Sequence, residues 1–600
     1  MRNQTDTTKN KAVYLLITFG LVLILLFNLT NLQLVQGSKY FFESKNSHST
    51  STVTRAARGI IYDRNGVKLV ENKPIYNVFI YRYAVSEEKR QLSIDNLSKL
   101  FKKDVREIYT QELEKIKSVE NITEVKIFSQ QEYNPYIFQI EANPENYPAV
   151  YIEKTTIRKY LYPELMSHII GYTGEITLEN YETGRYDYGD TIGKFGIEQG
   201  YDELLRGKNG RERVYRYLSE GKKVSSIVQQ KENGKDISLT IDVKVQKELY
   251  EVIQEAQKLK KLEEAVSFAV VVEDVRSGEI LGMANYPNFD ANLFARGISN
   301  KEYQLYLENP GKPLTNKAIQ YAQAPGSTLK TLTDIVALQE GAVDEQTTFY
   351  TGGAYEYGGV VFQDANRVNH GEVDLVRGLC VSSNISHLKT ALALDEQSNG
   401  QAAELIQRRF SKIGLDAVSS LNLGSEAVGY YPTPEGQDRK GRAWRRGDLL
   451  NASFGQGDVL VTPLGAAKLA ATLGSKGRVI EQSIVKKERM SDHSNEEIGI
   501  ADRHFNMINE GMMCSTERNN AVTDYDLEEY PMFSSKTGTA QTGQFVDEKE
   551  LIHGWEISYA PSDNPRIAMS VFIENGQSGY YAGYVSREFY KFWFDTYQSQ

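Results

Sequence analysis

The sequence predicts a multidomain α+β protein with a single N-terminal transmembrane helix. Three observations support this prediction. An uncharged run occupies residues 12–38, a region of mixed strand and helix patterns follows it, and hairpin strands alternate with helices between residues 236 and 600. At 600 residues the chain is long enough for more than one domain.

Residues 12–36 are predicted to form the membrane anchor. Their centre, residues 13–29, is almost wholly apolar, and a membrane span needs about 20 apolar residues. The preceding tail, residues 1–11, carries three basic residues against one acidic residue, which places the N-terminus in the cytoplasm. A cleaved signal peptide is the alternative, but no small-x-small cleavage site follows the apolar run. The remainder of the chain is therefore expected on the outer side of the plasma membrane.

Composition excludes several other classes of protein. The formal net charge of -10 argues against a general nucleic-acid binder. The 7 histidines show no metal-ligand spacing, so we assign no metal and expect no cofactor. The two cysteines, Cys380 and Cys514, rule out a disulfide framework. A single bridge between them is possible, but two separately buried thiols are the favoured interpretation.

Residues 37–235 are predicted to form a mixed α/β domain without a catalytic constellation. Turn residues and hydrophobic periodicity indicate its elements. These are a strand and hairpin at 58–66, a strand at 68–81, helical periodicity at 94–117, a strand at 124–138, and glycine turns with a short helix at 193–198.

Residues 236–600 are predicted to form a second domain, in which helices cover a central antiparallel sheet. Asp242 is the expected N-cap of a helix with apolar residues at spacings of three and four. The segment 486–503 is polar and is expected to be a loop. The other predicted elements are strands at 237–241, 268–273, 279–284, 533–540, 554–559 and 567–573, and helices at 245–259 and 585–597.

The first candidate catalytic motif is Ser-x-x-Lys at residues 327–330. Pro325 and Gly326 end the preceding segment, and apolar periodicity begins at Leu329. Ser327 is therefore expected at a helix N-terminus, where free N–H groups favour developing negative charge. Lys330 follows one turn later, and a lysine kept neutral by burial can activate a serine hydroxyl. Alone the motif is weak, because a helix cap with an exposed lysine has the same spacing.

Two later motifs make a chance match improbable. Ser382-x-Asn384 supplies Ser-x-Asn, and residues 536–538 supply Lys-Thr-Gly. All three motifs occur in the order that penicillin-binding proteins and class A β-lactamases share. Ser383, Ser386 and His387 are expected to be neighbours of the site rather than participants.

With these motifs in place, the chain resembles a class B penicillin-binding protein. The resemblance implies an elongated, dimerisation-like pedestal domain at 37–235 and a penicillin-binding transpeptidase domain at 236–600. One departure is Gly-Trp-Glu at 554–556, where the family often has an aromatic pair; we expect it to touch no catalytic role. Further matching segments are 58–66, 193–198, 205–207, 239–242, 287–290, 453–457 and 461–463.

The resemblance implies D,D-transpeptidation of peptidoglycan through a serine acyl-enzyme, with covalent inhibition by β-lactams. Ser327 would attack the penultimate D-alanine carbonyl of a stem peptide, and neutral Lys330 would accept its proton. The backbone N–H groups of Ser327 and Thr539 would stabilise the oxyanion. Ser382 would relay a proton to the leaving nitrogen, and Asn384 would hold the substrate amide.

The Lys-Thr-Gly strand has a separate implied role in binding the donor peptide. Lys536 and Thr537 would bind its terminal carboxylate and orient Ser382. Gly538 would let the substrate backbone approach the strand edge, where strand addition is natural.

The implied partners are stem peptides ending in D-Ala-D-Ala, β-lactam antibiotics and a polytopic membrane glycosyltransferase, with no nucleic acid. A bifunctional enzyme would need a glycosyltransferase domain after the anchor, and a β-lactamase would need a second base to hydrolyse the acyl-enzyme; neither is evident. A non-enzymatic alternative is a membrane-anchored β-lactam receptor or a catalytically silent scaffold of the elongation or division machinery. The sequence does not distinguish roles in cell shape, division or sporulation.

Overall fold

The computed structural model describes residues 4–31, 47–83, 85–119, 122–131, 135–217, 222–486, 496–518, 525–546 and 548–597. They fall into two compact units: residues 1–58 with 206–234, and residues 59–205 with 235–600. The last residues of the predicted anchor, 32–36, the start of the predicted pedestal, 37–46, and positions 487–495 of the predicted loop lie outside the described residues.

The helices of the described residues are named in chain order, and the short 3-10 helices among them lie at Lys260–Leu262, Gly326–Leu329 and Ala365–Arg367. The α-helices are α1 (Gln4–Thr30), α2 (Glu87–Phe101), α3 (Val105–Ile116), α4 (Pro135–Ala142), α5 (Ser167–Ile170), α6 (Leu178–Glu182), α7 (Gly196–Gly200), α8 (Asp202–Arg206), α9 (Val243–Gln257), α10 (Ala291–Ala295), α11 (Asn300–Glu308), α12 (Lys317–Gln320), α13 (Lys330–Gln339), α14 (Leu375–Cys380), α15 (Asn384–Gln397), α16 (Ala402–Ile413), α17 (Pro434–Arg439), α18 (Arg446–Ser453), α19 (Pro463–Gly474), α20 (Asp502–Arg518) and α21 (Gly579–Tyr597).

The strands are named in the same way. They are β1 (Ser47–Thr54), β2 (Ile61–Tyr62), β3 (Val70–Tyr81), β4 (Glu124–Gln131), β5 (Val150–Tyr160), β6 (Thr173–Glu175), β7 (Thr191–Gly193), β8 (Gly210–Tyr217), β9 (Lys222–Gln229), β10 (Ile237–Ser238), β11 (Ser267–Asp274), β12 (Ile280–Tyr286), β13 (Thr348–Thr351), β14 (Ala354–Tyr357), β15 (Val360–Gln363), β16 (Gly371–Asp374), β17 (Arg478–Val479), β18 (Glu496–Glu497), β19 (Ser534–Val546), β20 (Lys549–Ala560) and β21 (Ile567–Glu574).

The first unit contains α1 and an antiparallel sheet of β1, β8 and β9, in the order β1-β8-β9. Residues 13–30 of α1 have a mean hydropathy of 2.4 and are not buried against protein. By length and composition, α1 is the one helix of the described residues that could cross a membrane.

The N-terminal part of the second unit is a three-stranded antiparallel sheet, β4-β3-β5, covered by α2, α3 and α4. The predicted periodicity at 94–117 is divided between two helices, because Lys102 adopts a left-handed conformation and the Asp104 side chain caps α3. The prediction of a strand at 124–138 was wrong for its last part, because the strand, β4, ends at Gln131. Pro135 begins α4 there, and proline is well accommodated at the first position of a helix.

The C-terminal part is built on a five-stranded antiparallel sheet with the order β12-β11-β21-β20-β19. Side chains alternate along β11, so that Phe268 and Val270 pack with α9 and α21 on one face while Ala269 and Val271 pack on the other with α19. The predicted hairpin, the helix capped by Asp242 and the closing helix are confirmed. The predicted strand at 237–241 is reduced to β10. The sheet leaves β19 as an edge strand beside the 3-10 turn that carries Ser327.

Candidate active site

Ser327 lies in the 3-10 turn Gly326–Leu329, which leads directly into α13. The Gly326 N–H donates to the Gly455 carbonyl at 2.9 Å, and Gly326 has a φ of +57°. A Cβ on Gly326 would lie 2.9 Å from the Thr539 carbonyl oxygen, so a side chain at this position would push the turn away from β19. The structure therefore confirms Ser327 at a helix N-terminus and packs it against the Lys-Thr-Gly strand.

Lys330 is fully buried, and its amine makes three short contacts. Nζ donates to the Ser382 carbonyl at 2.7 Å and to Asn384 Oδ1 at 2.9 Å, and it lies 3.3 Å from Ser382 Oγ. Burial lowers the pKa of Lys330 well below its usual 10.5, and the charge of Lys536 lowers it further. When the Lys330 amine is neutral, its two N–H groups can be held by the Ser382 carbonyl and Asn384 Oδ1. The nitrogen lone pair is then free to accept a hydroxyl proton.

Ser382 occupies the turn between α14 and α15, with a φ of +55°. Its neighbour Ser383 caps α15 and donates to both carboxylate oxygens of Asp364. Asn384 Nδ2 donates to the Gln363 carbonyl at 2.8 Å. With Oδ1 on Lys330 and Nδ2 on this carbonyl, the Asn384 amide has a fixed orientation.

Lys536 is the second fully buried lysine of the site. Its Nζ donates to Ser382 Oγ at 2.9 Å and to the Thr537 carbonyl at 2.9 Å. Burial lowers the pKa of Lys536 to about 7, while the carboxylates of Asp334 and Glu556 oppose the shift. The hydroxyl of Ser382 thus lies between two buried amines.

The remaining residues of the Lys-Thr-Gly segment lie against the Ser327 turn. A Cβ on Gly538 would come within 2.5 Å of the Pro325 carbonyl oxygen, so this contact requires glycine. Thr539 Oγ1 accepts from the Gly579 N–H at 3.2 Å, and its carbonyl accepts from Gln456 Nε2 at 3.0 Å. Thr537 is half-buried within the same edge strand, opposite Glu556 on β20.

The structure joins Lys330, Ser382, Asn384 and Lys536 in one hydrogen-bonded cluster, and Lys536 also donates to the Thr537 carbonyl. Gly538 and Thr539 pack against Pro325 and Gly326, which precede Ser327. The hydrogen bonds of Lys330 go to Ser382 and Asn384 rather than to Ser327. Among the described residues, the hydroxyl of Ser327 has no hydrogen-bond partner, which leaves it available to a substrate.

Three buried groups near the site were not identified from the sequence. Asp334 accepts from His387 Nε2 at 2.9 Å and opposes the pKa shifts of both lysines. Asp364 orders the Ser-x-Asn turn through Ser383. Glu556 is fully buried opposite Thr537, and burial raises its pKa to about 7. The segment 554–556 was expected to touch no catalytic role, whereas the charge of Glu556 raises the pKa of Lys536. The one available signal was an acidic residue inside the strand predicted at 554–559.

The two cysteines correct a prediction. Cys380 and Cys514 form a disulfide rather than two separate thiols, with their Cα atoms 5.1 Å apart. It joins the end of α14 to α20. That helix was not predicted, and its first two residues lie in the segment 486–503 that was expected to be a loop. The two positions are separated by 134 residues, and only tertiary packing brings them together.

Comparison with known proteins places the chain in a family. Residues 268–593 match the penicillin-binding protein transpeptidase domain, and residues 53–239 match the penicillin-binding protein dimerisation domain. The first match covers more than half of the chain, and the chain belongs to the penicillin-binding protein transpeptidase family.

Named relatives and solved structures agree with this assignment. The peptidoglycan D,D-transpeptidase MrdA of Acinetobacter baumannii is 27% identical over 98% of this chain and 89% of its own length. MrdA of Escherichia coli K12 is 27% identical over 94% and 90%. Stage V sporulation protein D of Bacillus subtilis is 26% identical over 96% and 83%.

Two solved structures share the fold. One is the complex between penicillin-binding protein 2 and MreC from Helicobacter pylori, with a TM-score of 0.77, 22% identity and coverage of 92% of this chain and 99% of that chain. The other is a peptidoglycan synthase complex that coordinates polymerization and crosslinking, with a TM-score of 0.70, 24% identity and coverage of 96% and 97%. The expected fold class and the expected class of enzyme, a serine-type D,D-transpeptidase of the class B penicillin-binding type, are confirmed.

Proposed function

We propose that Ser327 is the acylated nucleophile of a peptidoglycan D,D-transpeptidase, and that Lys330, Ser382 and Lys536 move its protons. The observation that carries the proposal is the position of Ser382 Oγ, 3.3 Å from Lys330 Nζ and 2.9 Å from Lys536 Nζ. Such a chain lets a proton leave one hydroxyl and return to a leaving group without contact with bulk water.

In acylation, neutral Lys330 takes the proton of Ser327 as its oxygen attacks the penultimate D-alanine carbonyl of a donor stem peptide. The backbone N–H groups of Ser327 and Thr539 receive the oxyanion, which the close approach of Gly326 to Thr539 supports. The proton passes from Lys330 through Ser382 to the nitrogen of the departing D-alanine. An amine of a neighbouring stem peptide then attacks the ester, and the same groups carry its proton in reverse.

The donor peptide is proposed to lie along the exposed edge of β19, with Asn384 holding its amide. An edge strand offers unpaired backbone groups to a peptide, and β19 is such a strand. Gly538 contributes indirectly, because the absence of its side chain lets the Ser327 turn approach the strand. Protonated Lys536, with Thr537, would take the terminal carboxylate. β-Lactams carry a comparable carboxylate, and they would acylate Ser327 in the same position.

We further propose a single-pass protein with a cytoplasmic N-terminus, a pedestal at 37–235 and an extracytoplasmic transpeptidase domain at 236–600. The apolar, unburied α1 supports the anchor. A transpeptidase needs newly made glycan, and one structure with this fold belongs to a synthase complex that couples polymerization to crosslinking. A polytopic membrane glycosyltransferase is therefore the proposed partner of the anchor and pedestal.

The nucleophile is tested by labelling the full-length protein with a fluorescent penicillin and mapping the adduct by mass spectrometry. Ser327→Ala should lose the label and keep the thermal unfolding midpoint of the wild type. The control is Ser425→Ala, an exposed serine whose hydroxyl contacts only Gln320 among the described residues. An adduct that maps to another serine would remove Ser327 from the mechanism.

Topology and partnership have their own test. Protease added to spheroplasts should digest the large domain, and full protection would contradict the orientation.

Replacement of residues 1–38 with an unrelated anchor should weaken copurification with the membrane glycosyltransferase. Undiminished copurification after the pedestal is also replaced would refute the partnership.

A further inference from the structure

We propose that His387 is a positioning residue of the proton relay, whose charge compensates the buried carboxylate of Asp334 beside the amine of Lys330. His387 lies on α15 and Asp334 on α13, and both side chains are buried. The inference rests on the proposed transpeptidase function. It adds to that function the group that lets the base exist without its proton.

The pair lies one helical turn from the catalytic contact between the same two helices. Asp334 follows Lys330 by four residues on α13, and His387 follows Asn384 by three residues on α15. Residues at these spacings share one face of a helix. Lys330 Nζ donates to Asn384 Oδ1 at 2.9 Å. One turn further along, His387 Nε2 lies 2.9 Å from Asp334 Oδ2, so the pair is buried next to the base.

Both ring nitrogens of His387 face oxygen atoms that accept hydrogen bonds. Nδ1 lies 2.6 Å from the Ser383 carbonyl oxygen, which can only accept, so Nδ1 carries a proton. Nε2 lies 2.9 Å from Asp334 Oδ2, and two bare lone pairs at that distance would repel each other. A second proton therefore lies between Nε2 and Oδ2. With this proton, the two side chains together have no net charge.

The Asp334 carboxylate has no other compensation. Its second oxygen, Oδ1, is buried and has no hydrogen-bond partner in the part of the chain that the structure describes. The charge of a buried carboxylate is costly to leave unpaired and acts strongly on neighbouring charges. Asp334 raises the pKa of Lys330 and that of Lys536. Without His387, this carboxylate would favour a protonated Lys330, which cannot accept the proton of Ser327.

The other charged groups close to the pair belong to the catalytic network or have their own partners. The Lys536 amine approaches from β19. The carboxylate of Asp364 acts on Lys330, and that of Glu556 acts on Lys536. Asp395, two turns beyond His387 on α15, pairs with an arginine of α18 at 2.8 Å.

The remaining elements present uncharged side chains. Against α13 and α15 pack α14, α16, α18, α20, β13 and β15. The buried side chains that these elements contribute are apolar or carry hydroxyls and thiols, apart from His504 on α20. His504 lies near Glu345, which follows the end of α13. Of the described residues, His387 is therefore the ion-pair partner of Asp334.

The test measures the pH profile of acylation of the full-length protein by a fluorescent penicillin in stopped flow. His387→Gln keeps a side chain that can donate to Asp334 but removes the positive charge. Because Asp334 then favours the protonated form of both lysines, the rising and the falling limb should both move to higher pH by about one unit. Below the rising limb, the rate at a fixed pH should fall about tenfold.

A second substitution separates charge from structure. Asp334→Asn removes the carboxylate, so in the His387→Gln background it should return both limbs to their wild-type pH. Alone, Asp334→Asn should leave the limbs within about 0.3 units of the wild type, because one neutral pair replaces another. A downward shift of about one unit in this single variant would reveal an uncompensated carboxylate and overturn the inference. The single variant decides the question even if thermal unfolding shows that His387→Gln does not fold.

The matched control is His504→Gln, which removes a buried histidine of α20 whose Nε2 accepts from Arg503. It should keep the wild-type limbs. Unmoved limbs in a folded His387→Gln protein, or a loss of rate that is equal at every pH, would also overturn the inference. A penicillin adduct on a serine other than Ser327 would instead contradict the proposed function.

Discussion

Cys380 and Cys514 are joined by a disulfide, and each lies two residues from a group of the active-site network. Ser382 lies two residues after Cys380, and Thr516 lies two residues after Cys514. Thr516 Oγ1 accepts from the backbone N–H of Ser535, which immediately precedes Lys536. The disulfide therefore joins α14, which leads into Ser382, to α20, which is hydrogen-bonded to the strand of Lys536. Ser382 Oγ and Lys536 Nζ lie 2.9 Å apart.

Loss of this link is expected to weaken both stability and acylation. The double variant Cys380→Ser, Cys514→Ser should lose about 2–4 kcal/mol of stability, because a bridge over a long loop restricts the unfolded chain. Thermal unfolding and the rate of fluorescent penicillin labelling measure the two effects. Reductant should affect the wild type in the same direction and leave the double variant unchanged. Equal stability of wild type and variant would contradict a structural role.

The pH dependence of acylation should report Lys330. Acylation needs the neutral amine, so its rate should rise with pH through an apparent pKa well below 10.5, the lysine's usual value. Lys330→Arg should reduce acylation by about 100-fold or more, since arginine keeps its proton and a general base contributes this much. Stopped-flow acylation across pH measures both effects. A rate in the arginine variant close to that of the wild type would show that Lys330 is not the base.

Glu556 should set the alkaline limit of carboxylate binding. Lys536 must be protonated to bind a carboxylate, and binding is lost as pH rises through its pKa of about 7. The negative charge of Glu556 favours the protonated lysine, so Glu556→Gln should move this loss to lower pH. Above pH 7, acylation by a carboxylate-bearing β-lactam should fall by up to about tenfold relative to wild type.

The control for this comparison is Glu588→Gln, which removes a half-buried carboxylate on the same helix that packs over Glu556. Its ion pairs are with Arg587 and Lys591, and the pH profile should stay that of the wild type. If the pH profile of acylation in Glu556→Gln were identical to that of the wild type, the Glu556 carboxylate would not influence the protonation of Lys536.

Gly455→Ala should damage the site through the Ser327 turn. A Cβ at Gly455 would lie 2.0 Å from the Gly326 carbonyl oxygen, so the turn must move. Small displacements of reacting groups cost about 100-fold in rate, and penicillin labelling should slow by that order. Gly441→Ala is the matched control, because Gly441 also has positive φ but has open space around its Cβ direction. Similar labelling rates in the two variants would contradict a close-packed turn.

Much of the candidate site was predictable because its motifs are local. Ser-x-x-Lys, Ser-x-Asn and Lys-Thr-Gly each occupy a few consecutive residues, and their order identified the class of enzyme before any contact was known. The strands of the central sheet and the helix capped by Asp242 were equally predictable. Their hydrophobic periods, two residues for a strand and 3.6 for a helix, depend only on residues close together in sequence.

The sequence by itself determined the class of chemistry, an N-terminal apolar helix long enough to span a membrane, and most core elements of the transpeptidase domain. Tertiary structure decided which groups surround the amines: Asp334 lies one turn from Lys330 on α13, but Asp364 and Glu556 come from other segments of the chain. It also paired Cys380 with Cys514. The physical reason is that burial and charge pairing depend on which segments meet in space, and local sequence patterns carry no direct record of those meetings.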